Sequence, residues 1–374
     1  MEERNLKRQL SILALTRVRG LGAAAICAIL RTVEHPELLF ENLDFLGDII
    51  PDAGAELRAA LSDPEPMERA KAEQEFIEEK GIRAICLGDG DYPYRLSECD
   101  DAPPVIFTLG NTNLNAPHIV SVVGTRRATE YGKDLCCSMV SDLARLLPDT
   151  LIVSGLAYGI DVCAHRTAIK SGLSTLGVLA HGLDRIYPSS HRNVAKEMLN
   201  NGGLLTEYMS ETEPLKHHFL QRNRIVAGLA DATVVVESPA YGGSLVTASI
   251  AQSYARDCFA FPGRVNDQYS IGCNELIARN SAALITSAHD LVEAMNWGGA
   301  VKENALIEQE LFPQLSQPEQ NLLELLRAHS EGLQINQIVI ALDIPVSKIM
   351  PLLFELEMKN LVRAVAGGNY RAVV

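Results

Sequence analysis

No CxxC pair, no GxxxxGK[ST] loop and no HExxH occurs in these 374 residues. The eight cysteines, Cys27, Cys86, Cys99, Cys136, Cys137, Cys163, Cys258 and Cys273, are scattered without the spacing of a zinc site or a disulfide framework, so they read as reduced core residues. Without a Walker loop, ATP hydrolysis on a P-loop is excluded; without a GxSxG elbow, a hydrolase nucleophile has no support. No run of apolar residues reaches the length needed to cross a bilayer, and the opening MEERNLKRQL has no signal-like apolar core. A soluble, cytoplasmic protein with no membrane partner is expected. Excess positive charge is also missing: the formal charge is −14, which excludes a nucleic-acid footprint spread over the whole surface. Screening confines a charge's reach to about 8 Å at physiological ionic strength. A local cluster of cations can therefore still bind phosphate on an acidic protein.

The residues that are present fall into blocks. From 1 to about 66 the apolar spacing is helical throughout, with a Gly20-x-Gly22 break between LKRQLSILALTRV and AAAICAILRTV. That break reads either as a plain turn or as a helix-hairpin-helix turn approaching a phosphate. From 67 to 298 the pattern changes. HIVSVVG, TLIVSG, STLGVLA, GGLLTE, ATVVVES, DCFAFPG and AALIT are short aliphatic runs without polar alternation, separated by helical stretches. Such runs fit strands buried on both faces, and their alternation with helices predicts an α/β fold: a doubly wound, mostly parallel Rossmann-like sheet. Residues 299–315 read as a linker. The tail, 316–374, reads as three helices and a hairpin, a winged-helix domain whose would-be recognition helix, VSKIMPLLFELEMKN, has few cations.

The runs end in small residues: Gly124-Thr125-Arg126, Ser154-Gly155, His181-Gly182, Thr206-Glu207, Ser238-Pro239 and Pro262-Gly263. In an open parallel sheet those ends share one rim, where free helix N-termini receive anions. Arg126, Arg127, Lys133, Arg185, Arg192, Lys216, Arg222 and Arg224 stand at or just after them, and Phe219 adds a ring able to stack on an unpaired base. The plainer alternative puts Phe219 in the core and the arginines in ion pairs.

VGTRRATEYG, SGLAYGIDVCAHRTAI, HGLDRIYPSSHRN, GGLLTEY, FLQRNRIVAGLADATVVVES, GGSLVTASIAQ and CFAFPG follow one another in this order over about residues 85–290. Together they resemble the successive blocks of the DNA-processing protein A (DprA, or Smf) family. The resemblance implies a non-catalytic protein without cofactor or metal that binds single-stranded DNA, self-associates as a homodimer, and loads a RecA-type recombinase in natural transformation and recombination. It implies DNA contacts at Gly124, Thr125, Arg126 and Arg127, at Lys216 with Phe219, and at Arg222, Asn223 and Arg224. Backbone amides at Gly155 and at Gly243-Ser244 join them. Self-association falls on Ile277 and Leu284. Two departures, His181 where glycine is usual and Cys273 in a GxN-type turn, remove no basic or stacking group.

Two other chemistries present themselves. Asp161, His165, His181, Asp184 and His191 could be imagined around a metal, though such histidines are more often hydrogen-bonded core residues. ESPAYGGSLVTASIA also resembles the phosphate loop of nucleoside-monophosphate phosphoribohydrolases of the lysine-decarboxylase-like group, with Tyr241 to Ser244 on one phosphate and Glu237 as acid or base. The 216–224 block and the terminal domains separate the two readings, because a small nucleotide hydrolase needs neither.

Overall fold

The computed structural model describes residues 2–41, 43, 46, 50, 54–298, 315–329, 332–359, 361–365 and 368–372. They fall into two compact units, Met1–Met295 and Asn296–Val374. Apart from Leu315, the linker expected at 299–315 lies outside the described residues.

The first unit opens with helices α1 (Glu2–Leu15), α2 (Ala23–Thr32), α3 (Leu38–Glu41), α4 (Ala55–Ser62) and α5 (Glu65–Lys80). Leu15, Val18, Ile26, Ile29, Leu39 and Leu61 form a small core of their own. Ile12, Leu13 and Ala14 turn the other way, onto Ala70 and Ile77 of α5 and onto Phe107 of the sheet. One amphipathic helix thus serves two cores. Polar ties reinforce the second: buried Glu73 accepts from the Ser210 N–H at 3.0 Å and from Arg69 at 2.9 Å.

Next come β1 (Arg83–Cys86), α6 (Tyr94–Ser97), β2 (Val105–Gly110), β3 (His118–Val123), α7 (Glu130–Leu146), β4 (Thr150–Ser154), α8 (Ile160–Ser171) and β5 (Ser174–Val178). Then follow α9 (Arg192–Met198), β6 (Gly202–Thr206), α10 (Lys216–Leu229), β7 (Ala232–Val235), α11 (Gly243–Ser253), β8 (Asp257–Ala260), α12 (Ile271–Ala278), β9 (Ala283–Leu284) and α13 (Ala288–Ala294). The strands form one nine-stranded sheet in the order β1-β2-β6-β5-β4-β3-β7-β8-β9. Strands β3 to β9 pair in parallel, and each coincides with one of the seven aliphatic runs. All residues of β4, β6 and β7 are buried, as their unbroken aliphatic character requires. β1 and β2 extend the sheet antiparallel beside β6.

Order alone locates a crevice. From β3 the chain winds through β4 and β5 to β6, and then α10 carries it back to β7 on the far side of β3. Right-handed crossovers put the helices of the two halves on opposite faces, so the carboxyl ends of β3 and β7 part at a topological switch point.

The second unit comprises α14 (Gln317–Arg327), β10 (Leu333–Gln334), α15 (Ile335–Leu342), α16 (Val346–Met358), β11 (Val362–Val365) and β12 (Asn369–Ala372). Its strands order as β10-β12-β11 around a core of Leu322, Leu326, Ile338, Leu353 and Leu356, a winged helix. Glu319 closes the α14 N-terminus. It accepts from the Ser316 N–H at 2.6 Å and pairs with Lys359 at 2.5 Å. The Lys359 hydrogen bond holds its carboxyl down to about 2. A depressed carboxyl contributes stability that is present above its unfolded value, 4.5, and lost as pH falls through about 2. Calorimetry of the full chain in acid should show the Asn296–Val374 transition falling over that window, and falling less in Glu319→Gln; equal acid sensitivity in both would remove this role.

Candidate nucleic-acid interface

At the crevice each strand end is fixed by its neighbour. β3 runs into Gly124-Thr125-Arg126-Arg127, and the Thr125 carbonyl accepts from the Ile160 N–H at 3.2 Å. Gly159 lets the two loops meet: its φ is +79°, and a Cβ there would stand 2.1 Å from the Thr125 oxygen. Thr129 caps α7 and donates its N–H and hydroxyl to Glu237 at 2.9 and 2.5 Å. Glu237 is thereby a buried brace between β7 and α7.

The rim encloses a cavity of about 530 Å³. Gly124 to Arg127, Gly155, Asn223, Gly243 and Ser244 all line it. Phe219 stands on its wall from the first turn of α10. Gly243, at the start of α11, has no atom nearer than 4.0 Å where a side chain would project, leaving this helix N-terminus open to a ligand. Asn223 reaches across and donates to the Gly243 carbonyl at 3.4 Å. Arg126 and Arg127 are exposed, and no carboxylate among the described residues lies within ion-pairing distance of either. The Arg126 guanidinium sits 5.4 Å from the Phe219 ring centre, and Tyr187 meets the same ring edge-on at 5.7 Å. Lys216, also exposed and without an ion pair among the described residues, opens α10 one turn before Phe219 but is not part of the cavity wall. The result is two bare guanidiniums, an aromatic ring and free amides on one rim.

The positions of Arg222 and Arg224 correct the expectation that both contact DNA. Arg222 is 3% exposed; its guanidinium donates to the Val178 carbonyl and lies flat against Gly155, where a Cβ would be 2.3 Å away. Burial pulls its pKa down to about 10, opposed by the charge of Asp161. Arg224, two residues on and so turned about 200° around the helix, donates to the Asp101 carbonyl and to the Glu207 carboxylate. Arg224 is thus committed to protein groups, while Arg222 lines the cavity floor with its Nε unpartnered but almost no exposed surface. Lys133 and Arg185 are likewise paired, with Glu130 at 2.6 Å and Asp184 at 2.9 Å, so the positive patch is smaller than the string of basic residues suggests.

Asp161 is buried at the cavity wall and accepts from the Gly155 and Ala157 N–H groups at 3.1 and 3.4 Å. Burial raises its carboxyl above the usual range, and the Arg222 charge draws it partly back. The histidines considered for a metal have other partners. His165 meets the Thr175 hydroxyl at 2.7 Å and burial lowers it to about 3; His181 donates to the Gly182 carbonyl at 2.8 Å; His191 donates to the Leu156 carbonyl at 2.9 Å. Ile277 is half-buried against the core, while Leu284 on the edge strand β9 is 51% exposed. Sequence reasoning passed over Tyr187, which packs edge-on against Phe219, and the Gln268-Tyr269 pair on the cavity wall, and gave Tyr241, which is 95% exposed at its mouth, only to the phosphoribohydrolase reading. The signal was there in part: YP and AYGG turns beside strand ends carry rings outward.

The model of the DNA recombination-mediator protein A family matches residues 83–296. The chain belongs to this family. The DprA winged helix domain matches residues 308–368 in addition. Among relatives in the DNA recombination-mediator protein A family, the DNA processing protein DprA of Streptococcus pneumoniae is 36% identical over 265 residues, 71% of this chain and 91% of that protein. The putative DprA proteins of Mycobacterium tuberculosis are 38% identical over 253 residues, and the chain spans only 64% of their length. The X-ray structure of the S. pneumoniae protein superposes with a TM-score of 0.57 at 30% identity, covering 73% of this chain and 98% of that one. A Helicobacter pylori structure, described by its single-stranded DNA binding mode, gives 0.53 at 30% identity, covering 59% and 97%.

Proposed function

We propose that the chain binds single-stranded DNA along this rim without hydrolysing it and delivers it, as a homodimer in the cytoplasm, to a RecA-type recombinase in DNA uptake and recombination. The observation that carries the reading is the pair Arg126 and Arg127, left without carboxylate partners among the described residues beside Phe219, on a chain of net charge −14. Phosphates would meet these guanidiniums, Lys216, and the amides of Gly124, Gly243 and Ser244, with Asn223 between them, while an unpaired base stacks on Phe219. The N–H groups of Thr125 and Gly155 are taken by the Glu237 carbonyl and the Asp161 carboxylate, so these two residues shape the rim rather than donate to the strand. The single-stranded DNA of the H. pylori relative supports the same ligand here. Among the described residues no single helix is long and apolar enough to cross a membrane.

A division into a helical part (1–66), a groove domain (67–298) and a winged helix (316–374) suits this role. The winged helix is assigned to protein contact, since α16 exposes Val346, Met350 and Phe354 at four-residue spacing, one apolar stripe where a duplex reader would present cations. Leu284 on the sheet edge, near Ile277, is the apolar candidate for self-association. The phosphoribohydrolase alternative fares worse: it needs a carboxylate free to move protons beside the Tyr241-to-Ser244 loop, and Glu237 is bound by both donors of Thr129 and lines a neighbouring cavity with Thr129 and Tyr131 instead.

Gel shifts with oligo-dT across a salt series test the proposal. Arg126→Ala and Lys216→Ala should each flatten the slope of log affinity against log salt by about 0.7 for every phosphate that the missing cation no longer neutralises. No shift at any salt, or release of free base from AMP, would overturn it.

A further inference from the structure

Six of the eight cysteines are buried, but two face the seam between α7 and α8 from the outside. Cys137 is exposed on α7, Cys163 is half-exposed on α8, and their sulfurs stand 3.6 Å apart although 26 residues separate them in the chain. The surroundings hold both in place. The Thr167 hydroxyl donates to the Cys163 carbonyl at 2.9 Å and lies 3.3 Å from the Cys137 sulfur. Cys163 in turn points its thiol at the Lys133 carbonyl, 3.8 Å away. The described residues contain no group of three histidine, cysteine or acidic side chains that could hold a metal, so the pair is not part of a zinc site.

We infer that Cys137 and Cys163 form a dithiol modification site, oxidised by hydroperoxides to an intramolecular disulfide that ties α7 to α8. A disulfide requires sulfurs about 2.05 Å apart, so closure needs a movement of about 1.5 Å, within reach of side-chain rotation on an outer helix face. The pair also divides the labour that such chemistry needs. The thiols of Cys136 and Cys137 donate towards Cys163 and Lys133 adds positive charge, which together hold Cys163 down to about 6 against the effect of burial. Cys137 is shifted the other way by burial and stays a thiol at neutral pH. The disulfide rests on the 3.6 Å approach of the two sulfurs, with Cys163 assigned as the nucleophile and Cys137, the more exposed sulfur, as the resolving partner.

The reaction balances with a hydroperoxide as the oxidant. The Cys163 thiolate attacks the terminal peroxide oxygen, the O–O bond breaks, and the alkoxide takes a proton from water to leave as an alcohol, or as water when the oxidant is hydrogen peroxide. Cys163 is then a sulfenic acid. Cys137 attacks that sulfur, the S–O bond breaks, and the hydroxide leaves with the Cys137 proton as water. In sum, two thiols and one hydroperoxide become one disulfide, one alcohol and one water. The bond closes a loop around β4 and fastens together the helices that follow β3 and β4.

The full-length protein treated with hydrogen peroxide tests this directly. Two thiols should disappear together, a proteolytic peptide joining the segments of Cys137 and Cys163 should appear and be released by dithiothreitol, and the chain should stay monomeric on a non-reducing denaturing gel. In Cys137→Ser the sulfenic acid should persist and be trapped on Cys163 by dimedone. In Cys163→Ser peroxide consumption should slow by about tenfold. Disulfide-linked dimers, dimedone trapped on Cys137 rather than Cys163, or survival of both thiols would each overturn the assignment.

Discussion

Arg222→Met is expected to cost the first unit about 3–5 kcal/mol at neutral pH, the penalty of leaving a buried charge without its counter-charge. Nothing about the loss would involve DNA: Arg222 is 3% exposed, satisfies the Val178 carbonyl and offsets Asp161. Its pH dependence distinguishes this cause from a simple cavity. Burial raises the folded-state carboxyl of Asp161 above 3.8, so its contribution is most favourable below that value and is lost as pH rises through the raised one. Removing Arg222 pushes the carboxyl higher still. Urea midpoints should therefore show a deficit that narrows on acidification, and adding Asp161→Asn should recover much of it. A deficit unchanged across pH, or untouched by the second substitution, would show that Asp161 and Arg222 do not act as a pair.

Phe219→Ala should weaken oligo-dT binding by about 1–3 kcal/mol, a factor of roughly 5 to 150, with its salt slope almost unaltered, because a stacked base releases few ions. The contrast with Arg126→Ala is the informative part. That guanidinium lies 5.4 Å from the Phe219 ring, so on the proposed function it serves a phosphate and steadies the ring at once, and its loss should change the slope and the affinity together. The two substitutions share a contact and should be less than additive when combined. Equal affinities for wild type and Phe219→Ala, measured by fluorescence anisotropy, would remove the ring from the site.

The doubly wound core was legible because a strand buried on both faces has a local signature: TLIVS and GGLLT need no partner to be recognised, and each strand of the parallel part lies on such a run. What joins distant segments left no such mark. Ile12 to Ala14 pack on Phe107 across the pattern break near residue 66, and periodicity along α1 tells that one face is buried without telling against what. Cys137 and Cys163 meet for the same reason, through the packing of two helices that the chain separates by a strand. In the QRNR block the basic residues are visible in the sequence but their directions are not. Laid on a helix, Phe219, Arg222 and Val226 share the inward side while Arg224 turns away. Treating the block as an undivided basic patch hid that difference.

At its far border the great sheet ends on a strand of two residues, Ala283–Leu284. So short a ladder gives a second chain little to hydrogen-bond to, and it guards the molecule against open-ended stacking into fibres. Any twofold pairing there must draw on side chains such as Leu284, a contact that concentration can make and dilution undo.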